Sequence, residues 1–78
     1  MQTKPLRLNP KKLLHSKWTA VKPVNKEKHF MVTKLIIADE ETQVIEVVEI
    51  EAVMTGRMQV IDWRALQNRD AWKQGGGA

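Results

Sequence analysis

Eight Lys and Arg side chains lie within the first 28 residues of this 78-residue chain, against a single Glu. They are Lys4, Arg7, Lys11, Lys12, Lys17, Lys22, Lys26 and Lys28, and Trp18 stands among them. Cations spaced along a chain neutralise phosphates and release condensed counterions, and an indole stacks on an unpaired base. The expected chemistry is therefore binding of RNA or a ribosome. In that reading Lys11, Lys12, Lys17, Lys22, Lys26 and Lys28 track phosphates, Trp18 stacks on a base, and Arg57 and Arg64 extend the basic surface. The competing explanation is a solvated face, or a basic arm folded back on its own acidic strand. Residues 29–56 hold one Lys against six acids, and residues 57–78 hold four Arg or Lys against two Asp. The net charge of +4 thus divides into blocks of +7, −5 and +2.

Other chemistries have weaker support. His15 and His29 are the only imidazoles, and no HxH, HxxxH or HExxH spacing accompanies them, so no metal site is expected. Ser16 follows His15, but a catalytic triad needs partners brought across the fold and an oxyanion hole, and neither is signalled. The absence of Cys removes disulfides, thiolate zinc sites and a Cys nucleophile, and suits a reducing cytoplasm. Gly75-Gly76-Gly77 has neither the preceding strand nor the following Lys-Ser/Thr of a phosphate loop. No signal peptide or membrane span is expected, because the longest aliphatic run is broken by Lys34 and by glutamates. A non-enzymatic cytoplasmic protein without a cofactor is the expectation, with its oligomeric state open.

The elements that must carry these residues centre on residues 28–63, which read as a three-stranded antiparallel meander. In residues 28–38 Phe30, Val32 and Ile36 alternate with Met31, Thr33, Leu35 and Ile37, so both faces are largely apolar and a second covering layer is expected. Asp39-Glu40-Glu41-Thr42 forms a polar turn. In residues 44–54 Ile45 and Val47 differ in parity from Val48, Ile50, Ala52 and Met54, which calls for a bulge near Val47-Val48. Thr55-Gly56-Arg57 supplies the next turn, with Gly56 at positive φ, and residues 58–63 place Gln59, Ile61 and Trp63 on one side.

Before the meander, Asn9-Pro10 predicts a capped short helix to about His15, with Leu13 and Leu14 closing one end of the core. Residues 16–22 read as a strand stopped by Pro23, and residues 23–27 as a charged loop. After it, Asp62 caps a turn through Leu66, and Asn68 caps another ending at Gly75. These turns are expected to lay Trp63, Leu66 and Trp72 over the outer face of the 28–38 strand.

Several stretches together resemble a family of small bacterial tryptophan-rich proteins of uncharacterised function. They are Asn9-Pro10-Lys11-Lys12-Leu13-Leu14, Ser16-Lys17-Trp18-Thr19-Ala20, Glu27-Lys28-His29-Phe30, Glu51-Ala52-Val53 and Asp62-Trp63-Arg64, with Leu66 and Trp72. The resemblance runs from about Asn9 to Gly75 and implies a bacterial origin but no mechanism. The family usually carries a further Trp after the Trp72-Lys73-Gln74-Gly75 segment, where this chain has Gly76-Gly77-Ala78.

The fold expected is mainly β: a small antiparallel SH3- or Sm-like barrel over residues 9–75, with a short N-terminal helix and short C-terminal helical turns. A flexible basic lead over residues 1–8 and a linker-like tail over residues 76–78 flank it. A chain of this length buries only about 60 to 65% of its unfolded surface, so it makes one core. The alternative to nucleic-acid binding is a protein-interaction adaptor of a bacterial transcription or stress complex, offering its acidic strand edge or its tryptophan surface to a partner.

Overall fold

The computed structural model describes residues 7–75. The lead expected over residues 1–8 therefore lies outside the described residues except for Arg7 and Leu8, and the tail 76–78 lies outside them entirely.

Five antiparallel strands form one sheet: β1 (Lys17–Val24), β2 (Glu27–Asp39), β3 (Val44–Ala52), β4 (Met58–Asp62) and β5 (Trp72–Gln74). Their spatial order is β4-β3-β2-β1-β5. The mainly β character and the β2-β3-β4 meander are as the alternation indicated. The barrel is not formed, and the sheet stays open with β4 and β5 as its edges. The physical reason lies between those edges, where the 3-10 turn Trp63–Gln67 packs against β3, β4 and β5 and lays Leu66 over the core.

The core is one apolar cluster. Trp18, Val32, Val48, Ile50, Ala52 and Leu66 are fully enclosed, with Leu13, Phe30 and Ile45 nearly so. At roughly 25 cal/mol per Å² of apolar surface removed from water, burial of these side chains is the main favourable term. Five positions are expected in the core from the sequence, Val32, Ile36, Val48, Ile50 and Val53, and Val32, Val48 and Ile50 are there. Val53 is 59% exposed and Ile36 is only half-buried, outside the cluster.

Val53 follows the buried Ala52 by one residue, past the end of β3, and a bulge accounts for Ile36. Val32 pairs with Ile50 but Lys34 pairs with Glu49, so Thr33 is an extra residue in β2. It donates its hydroxyl to Glu49 Oε1 at 3.0 Å, and beyond it Leu35 rather than Ile36 packs on the core. A second shift sits at Glu46, where Ile36 opposes Val47 but Ile37 opposes Ile45. That bulge lies just before the expected Val47-Val48 position and returns Ile45 to the buried face. The two apolar faces of β2 thus reflect a change of phase rather than a covering layer.

The helical segments are shorter than expected. Asn9 does cap, its Oδ1 accepting from Lys11 N at 3.0 Å, but the element is one 3-10 turn, Pro10–Lys12. Leu13 is buried under it, whereas Leu14 is exposed. Pro23 does not stop β1. From Ala20 to Pro23 the strand is out of register with β2, so the missing amide forfeits no ladder bond. The hairpin that follows turns on Asn25 and Lys26, both at positive φ (55° and 62°), which is the primed two-residue turn suited to strand twist. Gly56 takes the expected positive φ of 74°. Asp62 caps the Trp63–Gln67 turn by accepting from Arg64 N at 2.8 Å. Asn68 accepts from Asp70 N, yet no helix follows, and residues 72–74 pair instead with β1. Trp63, Leu66 and Trp72 accordingly close over the inner face of the sheet and not over the outer face of β2.

Candidate binding surfaces

Trp18 is 0% exposed, and its Nε1 donates to Ser16 Oγ at 2.9 Å. No base can stack on a ring without accessible surface, so the stacking role expected of Trp18 is withdrawn and the residue belongs to the core. Its neighbour Thr19 is buried too, and donates its hydroxyl to the Gly75 carbonyl at 2.9 Å.

The expected cations fall into separate places. Lys11 and Lys12 are exposed on the first 3-10 turn, with Lys11 beside Leu35, Ile37 and Ile45. Lys17 opposes Met31 on the outer face, and Lys73 opposes Thr19 on the same face. Lys26 sits at a hairpin tip, while Lys22 and Lys28 are exposed on β1 and β2. Two of the expected contacts are already spent within the fold. Arg64 pairs with Asp62 at 3.3 Å and Glu46 at 3.5 Å, and its guanidinium lies 5.1 Å from the Trp63 ring centroid.

Arg57 is committed more firmly. Glu27 is 2% exposed, and it accepts from Arg57 Nε and Nη2 and from Thr55 Oγ1 at 2.6 Å. A carboxylate removed from water needs several donors of this kind. The Arg57 hydrogen bonds, then that of Thr55, outweigh burial and lower the Glu27 pKa to about 2, while Glu27 raises that of Arg57. This clasp ties the start of β2 to the β3-β4 turn.

Beside the clasp lies an open groove of about 470 Å³. Phe30 and Trp72 form its aromatic wall, with ring centroids 5.1 Å apart at 83°. Ala20 and Ala71 continue the apolar lining, and Lys22, Gln59, Asn68 and Asp70 supply polar groups. The volume falls within the range of about 300–1,000 Å³ common to ligand clefts, and the lining mixes apolar and polar groups. Among the described residues no three of His, Asp and Glu converge as metal ligands.

Residues 16–76 match the model of a family described as Tryptophan-rich protein (DUF2389). The chain belongs to that family. The matched stretch contains Trp18, Trp63 and Trp72, and the structure divides them: Trp18 is enclosed, whereas Trp63 and Trp72 are half-buried at the margin of the core. Segment 9–14, which carried part of the resemblance, lies before the matched residues. No curated protein and no solved structure matches the chain.

Neither the groove nor the clasp was read from the sequence. Phe30 and Trp72 stand on different strands, and Glu27 and Arg57 flank different turns, so no spacing announces either pair. The one local hint for the clasp was a lone Glu within the basic block.

Proposed function

We propose that the protein is a non-enzymatic interaction module that seats a segment of a partner protein in the Phe30–Trp72 groove. The observation that carries this reading is the groove itself, where half-buried Trp72 packs edge-on against the nearly enclosed Phe30 beside Lys22 and the Glu27–Arg57 clasp. Aromatic side chains held rigidly at a concave surface give large contact area at small entropic cost. The clasp fixes one rim without using substrate chemistry. A cysteine-free chain suits a reducing compartment, and the cytoplasm is the compartment this reading takes. Among the described residues no helix is long and apolar enough to cross a membrane.

RNA or ribosome binding is the second reading. It is favoured by Lys11, Lys12, Lys17, Lys22, Lys26, Lys28 and Lys73, which form no ion pair among the described residues. Such binding would rest on phosphate neutralisation alone.

One experiment separates the two. Tagged protein is used to capture partners from native lysate with and without nuclease, beside the Trp72→Ala and Lys22→Glu variants. The groove reading expects polypeptides that survive nuclease and are lost in both variants while circular dichroism stays native. Loss of all capture on nuclease treatment overturns the groove reading and leaves the RNA reading.

A further inference from the structure

Among the described residues the sheet ends at β4, with no strand beyond it. Ala52 N–H donates to the Arg57 carbonyl at 2.9 Å, and the register then steps through Ile50 opposite Gln59 and Val48 opposite Ile61. In an antiparallel ladder alternate residues direct their backbone groups at the partner strand. Gln59 and Ile61 therefore bond β3, while Met58 and Val60 turn N–H and C=O outward. No turn or loop among the described residues bonds these outward groups.

Edge strands are normally blunted by Lys, Pro, bulges or a covering segment. The opposite edge, β5, is three residues long and carries Lys73. β4 has neither Lys nor Pro, and it pairs with β3 without a register shift. Its Met58 and Val60 side chains are 55% and 54% exposed. Directly opposite them on β3 stand Glu51 and Glu49. Neither carboxylate has an ion pair among the described residues, unlike Glu46, which Arg64 holds.

We infer that the β4 edge accepts, as a sixth strand, an extended basic segment of a partner protein with Lys or Arg at alternate positions. Backbone groups of that segment pair with Met58 and Val60. Its alternate side chains lie on the outer face, where Lys or Arg stems cover Met58 and Val60. Their charged heads reach Glu49 and Glu51 about 10 Å away, two strand spacings across the sheet. Charge selects this occupant over the others. A second copy docked β4 to β4 would set the β3 carboxylates of the two copies about 14 Å apart, three strand spacings, and would supply them no cation, and a phosphate backbone would add like charge on that face. The inference concerns the opposite face from the groove and stands whether or not the groove is filled.

The test uses labelled peptides of alternating Lys and Val, the same peptide N-methylated at its lysine amides, and a peptide of alternating Glu and Val. Fluorescence anisotropy at low salt reads affinity, and amide hydrogen exchange reads the site. The expected result is saturable binding of the first peptide alone, with new protection at Met58 and Val60. Val60→Pro removes an outward donor without touching the β3 ladder, so the fold persists and affinity falls roughly three- to tenfold, the worth of one hydrogen bond. The Glu49→Lys/Glu51→Lys double variant, which does not depend on tolerating Pro, should lose binding by a similar factor. Equal binding of the N-methylated or acidic peptide overturns the inference, as does the absence of saturable binding. Sedimentation of the wild type as a dimer that Val60→Pro dissociates also overturns it, because the edge would then belong to a second copy.

Discussion

The Arg57 guanidinium and the Thr55 hydroxyl hold the Glu27 carboxyl at about 2, below an ordinary 4.5. A carboxyl whose folded value lies below its unfolded value stabilises the fold fully above about 4.5, and that contribution is lost as the pH falls toward 2. The Glu27→Gln variant has no such contribution to lose. Urea midpoints of wild type and Glu27→Gln should therefore differ most at pH 6 and converge between about pH 4.5 and 2; a constant gap would mean the clasp is not ionic. Trp18 poses a different residue-level question, because its sequence neighbours are cationic while its ring is enclosed. Trp18→Ala should cost about 3 to 5 kcal/mol through lost transfer energy and a cavity, which in so small a domain approaches the whole stability. A variant that melts like the wild type would show the ring to be dispensable to the core. Trp63 Nε1 is buried without an acceptor among the described residues, and nothing in the structure explains what that donor is for.

At the scale of elements, turn chemistry and alternation located β2, β3 and β4, the Asn9 and Asp62 caps and the Gly56 turn. They missed the change of phase in β2, where Thr33 is an extra residue, while in β3 the break of parity located the bulge to within one or two residues. Thr33 carries no sequence mark of a bulge, since it exists because its partner strand advances out of step, whereas the parity break between Ile45 and Val48 marks the bulge at Glu46. Stability measurements can read that phase directly. Ile50→Ala should lose about 2 to 4 kcal/mol, whereas Val53→Ala, at an exposed site, should lose under about 0.5 kcal/mol. Comparable losses at both positions would contradict the observed register. Gly56 has open space where a Cβ would go, yet its φ of 74° disfavours any L side chain. Gly56→Ala should therefore cost roughly 1 to 2 kcal/mol by backbone strain alone, and a neutral result in denaturant melts would mean that the turn relaxes.

For the molecule as a whole, folding turns a charge pattern along the chain into one across a sheet. Glu49 and Glu51 on β3 face outward between β4 and the Lys-bearing strands β2 and β1, so the +7 block does not become a single basic face. Any RNA binding must then rest on lysines that remain unpaired. Lys17→Gln and Lys73→Gln should each flatten the log-log salt dependence of single-stranded RNA binding by about 0.7. Arg57→Gln and Arg64→Gln should leave that slope unchanged, because both guanidiniums already pair with carboxylates of this chain; equal slope changes at all four would restore the broad basic surface. By itself the sequence determined the β class, the meander, the turn positions, both caps and the family. Those properties depend on periodicities and turn residues within a few positions of one another. Only the tertiary structure decided that the sheet stays open, that Trp18 is enclosed, that Glu27 captures Arg57, and that Phe30 meets Trp72 beside a groove. Each of these joins residues far apart in the chain, and strand register and packing set their meeting.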